Sequence, residues 1–414
     1  MSTADTATTS TNARQTGNGT TPRPGHEGQT FLVGDEIYIR PFEKADAANG
    51  MSWRDTIFPQ STSLIETWIE EDLPKAGQNR TAHYAIARKT DDVVVGTVRI
   101  SHEDVSQEVV LHVDPLHGER GARWKGEALQ LVARWLVDEN HRPGVQVPLA
   151  ASETAVIAAA EAIGMRPCAR LREMLLIDGR RVDRVWYEYL NRGWVARLGD
   201  PQDVPLDRTG TGEPRPVPAS MALAGDPLKN AVLVGKRVYL RPEEKADAKE
   251  YARWSRRETE TFFDIGRHLA SSVIHEHWID EQQEKEPPES LWFSVCLRGT
   301  DELIGGVGLL GIDYVHLFAE TGSFFHRPEY RGQGYGTEAK QLLLEYAFDV
   351  LGLHMVQSWV YFPNTRSAAA LRKQGYREAG RMHWLYTHNG RFDNFVLFDL
   401  LATEWRAMPR AEAS

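Results

Sequence analysis

The sequence predicts an α/β (α+β) fold in which one mixed, mostly antiparallel sheet flanked by helices is built twice in tandem. Three observations point there. The chain is 414 residues long, too long for one average domain. Leu32-Val33-Gly34-Asp35-Glu36-Ile37-Tyr38-Ile39-Arg40-Pro41 returns as Leu233-Val234-Gly235-Lys236-Arg237-Val238-Tyr239-Leu240-Arg241-Pro242, an offset of 201. Glu43-Lys44-Ala45-Asp46-Ala47 and Trp53 return at the same offset as Glu244-Lys245-Ala246-Asp247-Ala248 and Trp254. So long a period marks a duplicated domain, because solenoid repeats recur every ~20–50 residues. Trp68-Ile69, Gly96 and Gly164-Met165 are echoed by Trp278-Ile279, Gly305 and Gly375-Tyr376. The third observation is the order of periodicities inside each copy.

In the second copy a strand comes first, with Val238 and Leu240 alternating with Tyr239 and Arg241. Residues 247–254 and 274–284 carry helical spacing. Strands at 292–297 and 304–310 flank the turn Gly299-Thr300-Asp301-Glu302. A strand at 319–326 precedes a long helix at 337–351, whose Ala339, Leu342, Leu343, Tyr346 and Val350 share one face. A strand at 355–362, a short helix at 366–374 and a hairpin around His388-Asn389-Gly390 complete the copy. Strands alternating with helices, plus hairpins, give a mixed α/β domain. The expected organisation is a Ser/Thr/Gly-rich disordered tail over 1–28, a first domain over 29–192, a Pro/Gly/Asp-rich linker over 193–230 and a second domain over 231–408.

Composition excludes several classes. Apolar residues make up 41% of the chain, enough for two cores. Lys plus Arg is 48 against 58 for Asp plus Glu, and no basic stripe is present, which argues against a nucleic-acid partner. Cys168 and Cys296 cannot staple a chain of this size, and no Cys/His spacing suits a metal. The roughly 18 apolar residues of a membrane span and the apolar stretch of a signal peptide are both missing, so a cytoplasmic protein is expected.

The chemistry-bearing segment is Pro328-Glu329-Tyr330-Arg331-Gly332-Gln333-Gly334-Tyr335-Gly336-Thr337-Glu338-Ala339, which follows a strand and opens the long helix. Small residues at a helix N-terminus offer unpaired N–H groups and the positive end of the helix dipole to an anion. Gly334 and Gly336 remove side chains that would hold a phosphate off the backbone.

This segment resembles the acyl-CoA loop of the GNAT (Gcn5-related N-acetyltransferase) superfamily, Arg/Gln-x-x-Gly-x-Gly/Ala, filled here by Arg331, Gly334 and Gly336. Val238-Tyr239-Leu240-Arg241-Pro242 with Asp247-Ala248, Asn364-Thr365-Arg366-Ser367 and Gln374-Gly375-Tyr376 are similar to landmarks of its ribosomal-protein N-acetyltransferase subgroup. The resemblance implies transfer of an acyl group from a pantetheine thioester to an amine. It implies acetyl-CoA, a longer acyl-CoA or a phosphopantetheinyl acyl carrier protein as donor, without a metal. The loop residues Arg331, Gly332, Gln333, Gly334, Tyr335, Gly336 and Thr337 would hold the donor, with Asn364 and the backbone around Phe324 and Phe325 along the pantetheine arm.

Aminolysis needs a neutral amine, a held oxyanion and a proton for the departing sulfur. Strand alternation places Glu320, Gly322, Phe324 and His326 on one face, making Glu320 the candidate base. Ser367 is the resemblance's candidate proton donor, although Asn364 and Ser367 also suit helix capping. His316 and His326 flank the same strand. His275-Glu276-His277 has a spacing that splays the rings, as on a solvated helix surface. Trp292, Phe293, Trp359, Tyr361 and Trp384 read as core or pocket-wall aromatics.

The first copy has Gly118-Glu119-Arg120-Gly121-Ala122-Arg123-Trp124-Lys125-Gly126 at the loop, and Glu153 and Val156 in place of Asn364 and Ser367. It is expected to keep the fold and lose the donor site. A free α-amine (pKa ~8) is an easier nucleophile at neutral pH than a Lys amine (~10.4), so a peptide or protein N-terminus is the expected acceptor, the alternatives being a small-molecule acetyltransferase that blocks an amine on an antibiotic and a non-catalytic acyl-CoA sensor or scaffold. On architecture the chain also resembles tandem acyltransferases of the goadsporin and goadvionin type, which cap ribosomally made peptides. Arg327, Arg331, Lys340, Arg372 and Lys373 would then present a docking face to an acidic carrier protein.

Overall fold

The structure is a computed structural model and describes residues 31–78, 80–101, 105–201, 215, 228–256, 262, 270–325 and 327–410. The expected tail, most of the expected linker and His326 lie outside the described residues.

In the first half, β1 (Ile37–Arg40), β2 (Thr81–Arg88), β3 (Val94–Ser101) and β4 (Gln107–Val113) are antiparallel neighbours. β5 (Gly144–Ala150) joins β4 in parallel, and β7 (Arg180–Leu190) then β6 (Arg166–Ile177) follow antiparallel. The second half begins with β8 (Leu233–Val234) and β9 (Val238–Pro242). It continues with β10 (Leu291–Leu297), β11 (Leu303–Asp313), β12 (Phe318–Phe324), β13 (Met355–Tyr361), β14 (Arg377–His388) and β15 (Arg391–Leu401). From β9 onward it repeats the first half's neighbour order, again with one parallel pair, β12 with β13. β6 lies beside β14 through Ala169 and Gly380, so the halves share one sheet.

The helices repeat as well. The first half carries α1 (Thr62–Thr67), α2 (Leu73–Gln78), α3 (Gly118–Arg134), α4 (Thr154–Ala162) and α5 (Arg192–Leu198). The second carries α6 (Ala248–Ser255), α7 (Ser272–Gln283), α8 (Tyr335–Glu345), α9 (Thr365–Lys373) and α10 (Ala402–Ala407). α8 seals its sheet by burying Ala339, Leu342 and Leu343 against Val307, Leu309 and Ala319. Each such Leu is worth about 1.5–3 kcal/mol of burial. α3 does the same with Ala128, Leu129 and Val132.

A shared carboxylate sets the register between the copies. Glu338 accepts the amides of Arg237 (2.7 Å) and Val238 (3.3 Å), and Glu127 accepts those of Asp35 and Glu36. Glu127 therefore matches Glu338, and Leu129 matches Lys340.

Three expectations need correction. Val350 does not join the apolar face of α8: the helix continues as a wide i→i+5 turn over Tyr346–Val350, which rotates that residue outward to 62% exposure. The stretch expected to be linker opens with α5, whose Asn191 side chain accepts the Gly193 and Trp194 amides. Lys340 cannot belong to a docking face, because it is 1% exposed.

Candidate active site

β12 and β13 pair only at Phe318/Met355, Ala319/Val356 and Glu320/Gln357. Ser358 Oγ donates to the Thr321 carbonyl (3.0 Å) and Thr321 Oγ1 to the Gln357 carbonyl (3.2 Å). Beyond these bonds the strands part, and 322–324 pair with β11 alone. The sheet is split at its parallel pair, and a cavity opens on each side of the split.

The first cavity, of about 530 Å³, lies at the N-terminus of α8. Phe324, Phe325, Arg331, Gly332, Gly334, Gly336, Thr337, Asn364 and Ser367 line it. Gly334 starts the helix with φ +85, a left-handed conformation that costs any residue with a Cβ roughly 1–2 kcal/mol. The N-cap residue Gly334 makes no side-chain cap to α8, and Gly334, Gly336 and Thr337 of this turn line the cavity. Gly336 lies against the Phe325 ring, where an added Cβ would approach to 3.1 Å. Arg331 Nε donates to the Phe325 carbonyl at 2.6 Å and ties the loop to the end of β12.

Gln333 and Tyr335 do not line this cavity; they shape the loop. Gln333 donates to the Glu329 carbonyl and accepts Arg237 Nη1 at 2.8 Å, while the Arg237 guanidinium stacks 4.5 Å over the Tyr335 ring. Asn364 Oδ1 accepts the Ser367 amide (3.1 Å), so it caps α9 as well as facing the cavity. Arg366 and Lys373 add cationic lining, and the sequence had given no reason to single out Arg366.

Glu320 lies in the second cavity, of about 390 Å³, with Trp359, Tyr361, Tyr386 and Phe395. Burial raises its carboxyl above the ordinary value, against the pull of Lys340 and a hydrogen bond from Trp359. Glu108 and Trp186 of the first half close this cavity. Glu108 pairs with Gln146 across the parallel strands as Glu320 pairs with Gln357, so the two carboxylates are counterparts. Arg99 bonds Glu108 at 3.2 Å. Its counterpart beside Glu320 is Gly308, against which the Trp292 ring packs.

Other singled-out residues are structural. His316 Nδ1 accepts the Leu176 amide (2.9 Å) at the junction of the halves. Phe293 and Trp384 are buried. Arg372 bonds Glu378 at 2.9 Å, and Arg327 bonds Glu329 at 2.7 Å. Among the described residues, no His/Cys/Asp/Glu group is placed to hold a metal, and no helix is long and apolar enough to cross a membrane.

The first half presents a different loop. α3 begins at Gly118 and runs through the positions where the second half has its glycine turn, so the amides of 124–126 fall inside the helix. Trp124 is buried and donates to Glu36 at 3.0 Å. Lys125 and Glu153 form an ion pair from α3 to the start of α4.

A split mixed sheet, with a glycine-opened helix start on one side and a half-buried carboxyl among aromatics on the other, can seat an anionic donor and an amine acceptor on opposite sides of one gap. The comparisons make this specific. Residues 237–377 match the family model for the acetyltransferase (GNAT) domain. The chain is 30% identical over 176 residues to the probable N-acetyltransferase YjcK of Bacillus subtilis, which covers 41% of this chain and 97% of that protein. It is 28% identical over 103 residues to the spermidine N(1)-acetyltransferase of Vibrio cholerae, covering 25% of this chain and 59% of that protein. The crystal structure of a Vibrio cholerae spermidine N-acetyltransferase with CoA and spermine is 22% identical, with a TM-score of 0.38, covering 41% of this chain and 98% of that one. The chain belongs to the GNAT acetyltransferase family and is an N-acetyltransferase of that type, moving an acetyl group to an amine.

Proposed function

We propose that the second half binds acetyl-CoA at the α8 cavity and acetylates the α-amine of a peptide or protein presented from the cavity shared by the two halves. The observation that carries this is the split between β12 and β13, with a bare helix start on one side and Glu320 on the other. The loop suits a diphosphate, since a Cβ at Gly334 would be strained and this N-cap residue places no side chain over the helix start. Once bound, the donor supplies an activated acyl carbonyl.

The chain's own residues do the rest. Amides of the α8 turn and the Arg366 and Lys373 side chains hold anionic groups. Glu320 takes a proton from the acceptor nitrogen, and its raised pKa makes it a stronger base than an exposed carboxylate. Ser367 returns a proton at the donor end, with Asn364 holding the helix start in place. The first half, its loop closed by helix and ion pair, binds no donor and serves as a wall of the acceptor cavity through Glu108 and Trp186.

A second reading, acetylation of a small polyamine, is favoured by the two carboxylates in one aromatic cavity and by the spermidine substrate in the names of the Vibrio cholerae proteins. A carrier-protein donor loses support because Lys340 is buried and Arg327 and Arg372 are engaged. Mass spectrometry of products separates these readings, with acetyl-CoA, long-chain acyl-CoA and acyl carrier protein offered against peptides and polyamines. The expected result is acetyl transfer to peptide α-amines; equal or faster turnover of spermidine moves the assignment to the second reading.

A further inference from the structure

The cavity that holds Glu320 has an aromatic wall found in one copy alone. Glu320 pairs with Gln357 across the parallel strands, and strand alternation turns Gln357, Trp359 and Tyr361 to the Glu320 face. On β15, Leu397 stands opposite Trp359 and Phe395 opposite Tyr361. In the first half the same register follows the Glu108/Gln146 pair, with Pro148 opposite Trp186 and Ala150 opposite Arg184. Those strands pair equally well without the rings, so the fold does not require them.

The wall lies within reach of a nitrogen held at Glu320. Trp359 is two residues past Gln357, about 7 Å along the strand, where β12 and β13 have just parted. Its side chain also bonds the Glu320 carboxyl. The Trp359 ring stacks on Phe395 (4.3 Å, 24°) and Phe395 in turn on Tyr386 (5.2 Å, 27°), with Tyr361 edge-on to Phe395 at 5.2 Å. Trp359 is still 36% exposed, so ring surface is left over after that stacking. The other carboxylate of the cavity, Glu108, is already bonded to Arg99, and a second cation on the acceptor gains less there.

We infer that Trp359 and Phe395 form a subsite for the first side chain of the acceptor peptide and select an aromatic or long aliphatic residue there. The inference rests on the peptide α-amine reading of this cavity and deepens it. In a peptide the α-nitrogen and the first side chain share one Cα, so an amine held at Glu320 carries its own side chain to the wall. Apolar surface then leaves water on both partners. A first glycine has nothing to bury, and a first aspartate brings another carboxylate towards Glu320 and Glu108. At about 390 Å³ the cavity lies at the small end of the ~300–1,000 Å³ typical of ligand sites, which suits the end of a chain.

The test measures kcat/KM with acetyl-CoA on peptides that differ only in their first residue, Gly, Ala, Asp, Leu or Phe. Wild type, Trp359→Ala, Phe395→Ala and Trp359→Phe are compared, with thermal melts to check folding. The wild type is expected to favour Leu and Phe over Gly by at least ~10-fold, with Asp slowest. In both alanine variants the Phe-to-Gly ratio should fall towards one, whereas Trp359→Phe keeps most of it. The ratio is the readout because a disturbed Glu320 or a loosened fold slows every peptide alike. A flat wild-type series overturns the proposal, and so do folded alanine variants with an unmoved ratio. A flat series in which long-chain acyl-CoA outruns acetyl-CoA also overturns it, since the wall then takes the donor's chain. If an alanine variant does not fold, the wild-type series still decides. Failure of the peptide reading is distinguishable: no peptide is then turned over, while spermidine is.

Discussion

On α8, Gly334 and Lys340 sit about a turn and a half apart and have opposite needs. Gly334 must stay bare. Gly334→Val puts a Cβ at φ +85 and a methyl group over the first-turn amides, so CoA affinity measured by calorimetry is expected to fall at least 10-fold. Lys340 is the reverse case, a cation where the first half has Leu129. Burial drives its amine down to about 7, against the pull of Glu320. In the unfolded chain it titrates near ~10.4, so the folded state binds fewer protons between the two values and stability rises with pH across that window. Lys340→Leu is expected to stabilise the protein by a few kcal/mol below pH ~7, with the gain fading towards pH ~10. Denaturant unfolding across pH checks it, and no gain would mean the ammonium is compensated. Glu320→Gln is expected to cost about 10²-fold in kcat/KM at unchanged CoA affinity. In the wild type the rate should rise with pH through its raised pKa, since the ionised form is the base.

At the level of elements, α3 and α8 show how one position in a fold takes two local structures. α8 starts at Tyr335 behind a glycine turn, whereas α3 starts at Gly118 and absorbs the same positions into its hydrogen-bond ladder. The Lys125–Glu153 pair and buried Trp124 then lock that helix end. Trp124→Ala is expected to cost about 3–5 kcal/mol of stability while leaving CoA affinity unchanged, a combination read by melts and calorimetry on the same variant. A matching loss of CoA affinity would give the first half a donor site. The parallel pairs β4/β5 and β12/β13 carry the matched carboxylates, and both line the one aromatic cavity, but Glu108 alone is bonded to Arg99 there.

At the scale of the molecule, the halves are joined by more than the single strand pairing of β6 and β14. Arg172 donates to Asp399 and to Glu404, His383 bonds Glu188 at 2.9 Å with both side chains buried, and the Val105 and Ser106 amides donate to the Leu385 and Trp384 carbonyls. Arg172→Ala leaves the buried Asp399 carboxylate without its partner, and a loss of about 3–5 kcal/mol is expected. The same change alters acid stability. Burial alone would raise Glu404, but the Arg172 bonds hold it below its ordinary value. A carboxyl lowered on folding adds stability above its unfolded pKa of ~4.3 and loses it as pH falls through the folded value. Without Arg172 that loss should begin at higher pH, as acid titration of the two proteins would show.

Local pattern was enough to set the repeated strand and helix order and the glycine turn that opens α8, because periodicity and turn chemistry act within a few residues. Alternation along β12 correctly set Glu320, Gly322 and Phe324 on one face. What that face meets was decided by pairings hundreds of residues apart. The β6–β14 junction brings Glu108 beside Glu320, and the packing of α6 against β10 links Tyr251 to Asp247 through Ser294. Helical spacing could not place Lys340, since every position from Glu338 to Leu344 is buried and the face a residue shows depends on what covers it. Burial and charge environment are properties of the assembled sheet, and they fix which of the chain's many carboxyls and amines can act.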